Sequence, residues 1–193
     1  MKVVLIISAI LFAITMRTQK QEEYDSIGRN DFYILKDISD LQTPQEKFQN
    51  ISNIKNAEQQ YGSNYKSERQ FADAVNMYYT KMTYNNGLTL EIPDNPDFSV
   101  GFHINSNQYI LKLKDGTIIR VGMKVDELRT IFPKSFKQTT SPDNKETTTE
   151  NPGFFVCFSS SINGKTIKED AFIIFVINKK DGVLKEFRSW EPI

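Results

Sequence analysis

The sequence predicts an α+β protein in which an antiparallel sheet carries helices packed on one face. Alternating apolar and polar residues recur through the second half of the chain, as half-buried strands require. Tight-turn sequences separate several of these runs, notably residues 85–87 (NNG) and 115–116 (DG), which favour hairpins. Two segments, at residues 43–46 and 124–128, have the residue types of helix starts.

Residues 1–18 have the composition of a secretory signal peptide. Lys2 supplies a positive charge, and the apolar run that follows has roughly twelve residues, fewer than the ~20 needed to span a bilayer. Polar residues return at Arg17. We therefore expect cleavage between Thr15 and Thr18, a periplasmic or secreted protein, and no transmembrane segment after signal cleavage.

The next segment, residues 19–42, predicts a polar N-terminal arm that ends in a short strand over residues 31–38 (DFYILKDI). One α+β domain then covers residues 43–193. It begins with a helix, because residues 43–46 (TPQE) combine a capping threonine, a first-turn proline and a capping-box glutamate. Apolar residues continue at three- and four-residue spacing as far as Gly62, where the helix is expected to end.

The middle of the chain predicts strands joined by hairpin turns. Residues 67–74 (SERQFADA) are ambiguous between a short helix and a loop. The predicted strands cover residues 77–84, 88–92, 98–105, 108–114 and 117–121.

The last third predicts one helix and three further strands. Val125 and Leu128 share an apolar helix face, acidic residues occupy the first turn, and Pro133 stops the helix. The polar residues 138–152 form a loop of unusual length, which we expect to be mobile or functional. Strands follow at residues 154–159, 171–177 and 183–190, and the second of these is apolar on both faces, as a central strand requires.

The two halves of the domain, residues 43–121 and 122–193, each read as a helix followed by hairpins and so predict two tandem repeats. Residues 121–128 (VGMKVDEL) with 131–133 (IFP), and more loosely 41–46 (LQTPQE), carry the similarity. In these segments the chain resembles the β-lactamase-inhibitor-protein-like superfamily, which includes small outer-membrane assembly lipoproteins. The resemblance implies an envelope or secreted binding protein built on a curved antiparallel sheet.

The chain departs from that superfamily in three respects. No lipid-accepting cysteine follows the signal, the single cysteine, Cys157, precludes an intrachain disulfide, and Lys124 stands where a hydroxyl cap is usual. These departures leave the particular partner open.

Composition argues against several classes of function. The 24 basic and 24 acidic residues balance, and no basic stripe is interleaved with aromatics, so we expect no nucleic-acid partner. No glycine-rich phosphate loop and no ligand-spaced histidine or cysteine cluster occurs, so we expect neither a cofactor nor a metal. The segment 94–97 (DNPD) is better explained as a turn than as a calcium loop.

Few residues are candidates for catalysis. His103 is the only histidine, and strand alternation places it on a polar face, while Cys157 lies in an apolar run typical of a buried thiol. We therefore predict no catalytic residues and no enzymatic activity. The alternative is a thiol-dependent enzyme in which His103 activates Cys157.

The strongest candidates for a binding surface are tyrosines around the first predicted hairpin, since tyrosine is enriched at protein interfaces. They are Tyr61, Tyr65, Tyr78, Tyr79 and Tyr84. The sequence thus predicts an exported, non-enzymatic interaction protein whose partner is another envelope or extracellular protein. A second alternative is a small-ligand or glycan binder in a concave sheet, with these tyrosines or Trp190 as the stacking platform.

Overall fold

The structure of the protein, a computed structural model, describes residues 24–36, 48–138 and 152–190. The predicted signal peptide, the predicted helix start at residues 43–46 and all but the ends of the predicted polar loop at 138–152 lie outside the described residues.

Strands account for most of the ordered elements. They are β1 (Ser26–Gly28), β2 (Phe32–Leu35), β3 (Tyr65–Ala72), β4 (Met77–Tyr84), β5 (Leu88–Pro93), β6 (Gly101–Ile104), β7 (Ile110–Leu113), β8 (Ile118–Arg120), β9 (Gly153–Ile162), β10 (Lys165–Asn178) and β11 (Val183–Trp190). The helices are α1 (Ile54–Tyr61), α2 (Val125–Ile131) and α3 (Pro133–Gln138), with 3-10 turns at Phe48–Asn50 and Asp73–Val75.

The described strands form a large and a small sheet. The large sheet has the order β1-β9-β10-β11-β6-β5-β4-β3, and the small sheet has the order β2-β7-β8. Neighbouring strands are antiparallel throughout, except that β1 pairs with β9 in parallel. The predicted antiparallel sheet is therefore confirmed, and a single parallel pair at one edge makes the large sheet mixed.

Aromatic side chains join the two sheets into one core. The ring of Phe32 on β2 lies 5.9 Å from that of Phe102 on β6 and 5.9 Å from that of Phe158 on β9. Near α2, Phe132 contacts Phe154 and Phe175, and Phe154 stacks on Phe175 at 5.0 Å between centroids. All six of these phenylalanines are buried, and the removal of their rings from water supplies a large part of the apolar driving force for folding.

Elements with a strong local signal form where the sequence predicts them. The turn at residues 85–87 joins β4 to β5, and its Gly87 adopts a φ of 92° that few other residues tolerate. Residues 115–116 join β7 to β8, and α2 begins at Val125. β10 lies between β9 and β11, as expected for a strand that is apolar on both faces.

The predicted helix over residues 43–62 is wrong for residues 48–53, the part of it that the structure describes before Ile54. The α-helix begins only at Ile54, because Asn53 acts as its N-cap and accepts a hydrogen bond from the Asn56 amide at 3.0 Å. Phe48 and Ile51 have helical spacing and are both buried, but Phe48 lies in a 3-10 turn and Ile51 in the irregular segment that follows it. Spacing alone does not distinguish these two ways of burying the same residues.

Other local predictions are also corrected. Residues 67–72 belong to strand β3 and residues 73–74 to the 3-10 turn that follows it, and β1 lies inside the segment predicted as an arm. Neither segment has an apolar alternation, so its strand conformation comes from pairing with β4 or β9. β6 begins at Gly101, whereas Phe98, predicted on a buried strand face, is 42 % exposed in the preceding loop.

Candidate binding site

The candidate site lies where strands β6 and β11 separate. Their backbone pairing is limited to Ile104 with Phe187 and His103 with Arg188. At the next position the Phe102 amide donates to the Ser189 hydroxyl oxygen at 2.8 Å, so a side chain replaces a strand carbonyl. The sheet is therefore open beyond this point, beside the loop that leads from β5 into β6.

A cavity of about 240 Å³ occupies the core side of this opening. Five phenylalanines from different parts of the chain line it: Phe32, Phe48, Phe98, Phe102 and Phe158. Four of their rings pack on one another with centroid distances from 5.1 to 5.9 Å, which gives the cavity a close-packed floor. We call this cavity, with these five residues, the phenylalanine pocket.

Arg29 forms part of the rim of the phenylalanine pocket. Its guanidinium lies 4.6 Å from the centre of the Phe158 ring, donates to Glu169 at 2.6 Å and donates to the Ser99 hydroxyl at 2.8 Å. Because Glu169 balances its charge, Arg29 ties the β1–β2 turn to the loop before β6 rather than adding a net positive charge. Asn30, Ser52 and Asp97 complete the polar rim.

The opposite face of the sheet carries a second, more open hollow of about 260 Å³. It shares Phe98, Ser99 and Ser189 with the phenylalanine pocket. Its remaining lining residues are Ala72, Val75, Met77, Tyr79, Glu91, Pro93 and Gly101. The loop that contains Phe98 thus separates two concave surfaces, of which the phenylalanine pocket is the more enclosed and the richer in aromatic rings.

The structure divides the five predicted tyrosines between core and surface. Tyr61 and Tyr84 are buried, with their ring centroids 6.0 Å apart, and Tyr61 donates to the Ile34 carbonyl at 3.0 Å. Burial raises the pKa of both hydroxyls above the ordinary value. Their burial places Tyr61 and Tyr84 in the core, away from any surface that a partner contacts.

The other three tyrosines are at least partly accessible. Tyr65 donates to Glu58 at 2.7 Å, and this hydrogen bond raises the pKa of Tyr65. Tyr79 donates to Gln70 at 2.6 Å and faces the second hollow. Tyr78 is 49 % exposed. The five tyrosines therefore do not form a single continuous surface.

Cys157 and His103 are not brought together. Cys157 lies on β9 and is fully buried, and burial raises the pKa of its thiol to about 11. β10 and β11 lie between β9 and β6, so strand spacing alone separates the two residues by about 14 Å. A nucleophile–base pair requires hydrogen-bond contact, which this arrangement does not provide. His103 instead faces Glu186, with Nε2 3.5 Å from a carboxylate oxygen.

The part of the chain that the structure describes contains neither a group of metal ligands nor a helix that could span a membrane. Within residues 24–36, 48–138 and 152–190, no three histidine, cysteine or acidic side chains are grouped closely enough to hold a metal ion. None of the helices in the same ranges combines the length and the apolar composition that crossing a bilayer requires.

The phenylalanine pocket has no recognisable pattern in the sequence. Its five phenylalanines come from β2, a 3-10 turn, a loop, β6 and β9, so no fixed spacing connects them. The only local indication is the run at residues 98–102, which places two phenylalanines close to a glycine. No protein-family model matches the chain, and neither a curated protein nor a solved structure shows significant similarity to it.

Proposed function

We propose that the protein is an exported, non-catalytic binding protein that holds one uncharged aromatic group in the phenylalanine pocket. The observation that carries this proposal is the cavity of about 240 Å³ lined by five phenylalanine rings at the opening between β6 and β11. Binding sites for small molecules are typically concave and apolar, with a few polar groups at fixed positions. The phenylalanine pocket has both features.

Its size favours a small occupant. Sites for drug-sized ligands have volumes of roughly 300–1,000 Å³, so this cavity fits a ligand with a single ring rather than an extended molecule. Aromatic rings in proteins gain energy from edge-to-face and offset-stacked contacts. The tilted arrangement of Phe32, Phe48 and Phe102 offers both ring faces and ring edges to such a ligand.

The charges around the rim oppose an anionic ligand. Glu169 neutralises Arg29, and Asp97 adds a carboxylate at the rim. An acid entering the apolar interior would lose its hydration, and the one cation among the described lining residues, Arg29, is already paired with Glu169. Such a transfer is costly. We therefore expect phenol or toluene to bind in preference to benzoate.

Several finer expectations accompany this proposal. The proposal that the protein is exported is based on the composition of residues 1–18. The proposed relation to the β-lactamase-inhibitor-protein-like superfamily is based mainly on residues 121–128. Contacts of Phe132 and Phe136 with Phe154 support helices packed on one face of the sheet. The two tandem repeats and a partner in the envelope or extracellular space remain part of the same proposal.

The test is ligand-observed NMR with toluene, phenol, indole and benzoate. The neutral compounds are expected to bind with dissociation constants of about 0.1–1 mM, a range that the affinity per atom of small ligands allows. Val100→Trp should abolish binding, because Val100 lines the pocket and the larger side chain fills it. Phe98→Ala should weaken binding about fivefold through loss of ring contact.

The matched control is Phe71→Ala. Phe71 is 44 % exposed, close to the 42 % of Phe98, but it lies outside the pocket. Its substitution should leave binding unchanged. Absence of binding by every neutral ring compound, or equal binding by the wild-type chain and Val100→Trp, would refute the proposal.

A further inference from the structure

We infer that two copies of the chain pair through strand β3 into one continuous antiparallel sheet, independently of the phenylalanine pocket. β3 is the last strand of the large sheet, and within the described residues it pairs only with β4. Five of its eight residues are exposed, including the consecutive residues 66–69. This edge of the sheet is therefore accessible along its length.

The backbone of β3 presents hydrogen-bonding groups to this edge. The Tyr78 carbonyl accepts from the Asp94 amide at 3.0 Å, so the backbone groups of Tyr78 point toward β5. Phe71 lies opposite Tyr78, and in an antiparallel ladder its own N–H and C=O then point away from β4. The direction alternates along a strand, so Ser67 and Arg69 also point their backbone groups outward.

This alternation restricts how two β3 strands can pair. Residues whose backbone groups point outward must lie opposite one another in the two copies. The two-fold axis therefore lies midway between the two copies of a single residue, and that residue pairs with itself. With the axis at Ser67, Lys66 of each copy lies opposite Glu68 of the other. With the axis at Lys66 or at Glu68, that residue would lie against its own copy, and like charges directly opposite are destabilising.

The pairing at Ser67 also continues a row of charges that already crosses the sheet. Glu68 lies opposite Lys81 on β4, and Lys81 lies opposite Glu91 on β5. Lys66 of the second copy extends this alternation by one more charge. Charged side chains on an edge strand normally oppose unspecific pairing. Here they oppose the registers with the axis at Lys66, Glu68 or Arg69, in which a charged residue would lie against its own copy.

The dimer is tested by sedimentation velocity on the chain expressed from its full coding sequence. A contact limited to one strand edge is smaller than a standard interface. We therefore expect a weak dimer, with half of the chains associated at a protein concentration of about 0.1 mM. High salt should weaken it, because charge pairs at a solvent-exposed edge are screened. A chain that stays monomeric up to its solubility limit overturns the inference.

Two charge reversals identify the register. Lys66→Glu places Glu opposite Glu68 of the second copy, and Glu68→Lys places Lys opposite Lys66. Each variant alone should associate about tenfold more weakly, because two attractive cross-strand pairs become repulsive. An equimolar mixture should recover wild-type association, since a heterodimer pairs opposite charges at both positions. A mixture that associates no better than its components contradicts the register.

A cross-link gives a second, independent readout. In the proposed pairing the two Ser67 Cα atoms are about 5.5 Å apart, within the range that a disulfide bridges. Ser67→Cys should therefore form a covalent dimer on mild oxidation. Phe71→Cys on the same strand is the control, because its two copies lie about 27 Å apart. Equal cross-linking of both variants, or none of Ser67→Cys, counts against pairing through β3.

Discussion

At the scale of single residues, two neighbouring tyrosines in the core differ in how their hydroxyls are satisfied. Tyr61 donates to the Ile34 carbonyl at 3.0 Å, whereas the buried Tyr84 hydroxyl has no hydrogen-bond partner among the described residues. An unpaired polar group in a protein interior loses its hydration without compensation. The hydroxyls of Tyr61 and Tyr84 therefore contribute differently to the stability of the fold, although the two rings are neighbours.

This difference predicts opposite effects of removing each hydroxyl. Tyr61→Phe should lower the free energy of unfolding by about 1 kcal/mol, because a buried hydrogen bond is lost. Tyr84→Phe should leave it unchanged or raise it slightly, because only an unsatisfied group is removed. Urea denaturation of the two variants and the wild type provides the comparison. An equal loss in both variants would show that the Tyr84 hydroxyl has a partner.

At the scale of elements, the turn between β4 and β5 depends on the absence of a side chain at Gly87. A Cβ at this position would lie 2.6 Å from both the Asn105 amide oxygen and the Ser106 Cβ. Gly116, in the β7–β8 turn, has a similar φ of 90°, but a Cβ there would have no atom within 4 Å. The two glycines share a positive φ and differ in the atoms that surround them.

Alanine substitution separates these two contributions. Gly116→Ala should cost about 1 kcal/mol of unfolding free energy, which is the strain of a left-handed backbone alone. Gly87→Ala should cost about 2–3 kcal/mol, because the clash with Asn105 and Ser106 adds to the same strain. Thermal and urea denaturation measure both values. A Gly87→Ala variant as stable as Gly116→Ala would mean that the two side chains move away at no cost.

Helix α1 depends on its N-cap residue, Asn53, because it has only about two turns. The Asn53 side chain satisfies the amide of Asn56, one of the unpaired donors at the start of the helix. Asn53→Ala should therefore lower the free energy of unfolding by about 1 kcal/mol. Asn53→Asp should keep most of the stabilisation that capping provides, because aspartate is also a favoured N-cap residue. Lys55→Ala, on the solvent side of the same helix, is the matched control. Equal losses in Asn53→Ala and Lys55→Ala would argue against capping.

At the scale of the whole molecule, the buried tyrosines couple stability to alkaline pH. The pKa values of Tyr61 and Tyr84 are raised by burial, so the folded state holds their protons more tightly than the unfolded chain does. Their contribution is fully present below the unfolded value of about 10 and is lost as the pH rises through the folded values. The free energy of unfolding should therefore fall above pH 10.

The double variant Tyr61→Phe with Tyr84→Phe tests this dependence. We expect its free energy of unfolding to decline less steeply between pH 10 and pH 11.5 than that of the wild type, because two linked groups have been removed. Urea denaturation at several pH values in this range supplies the slopes. Parallel slopes for the two proteins would assign the alkaline sensitivity to other groups.

Contacts between remote parts of the chain also explain why two local sequence predictions are wrong. Residues 65–72 carry few apolar side chains and adopt a strand because β4 supplies their hydrogen-bond partners. The predicted helix does not extend over residues 48–53, because Phe48 and Ile51 are buried from a 3-10 turn and an irregular segment. In both cases contacts from another part of the chain outweigh local preference, as tertiary context commonly does.

The sequence by itself determined the hairpins at residues 85–87 and 115–116, helix α2 and the central position of β10, because turn chemistry and apolar periodicity are local properties. Tertiary structure alone decided the order of the strands, the burial of Tyr61 and the separation of Cys157 from His103. It also created the phenylalanine pocket, in which residues as distant in sequence as Phe32 and Phe158 meet. Such a site depends on packing between remote segments, which no spacing within one segment encodes.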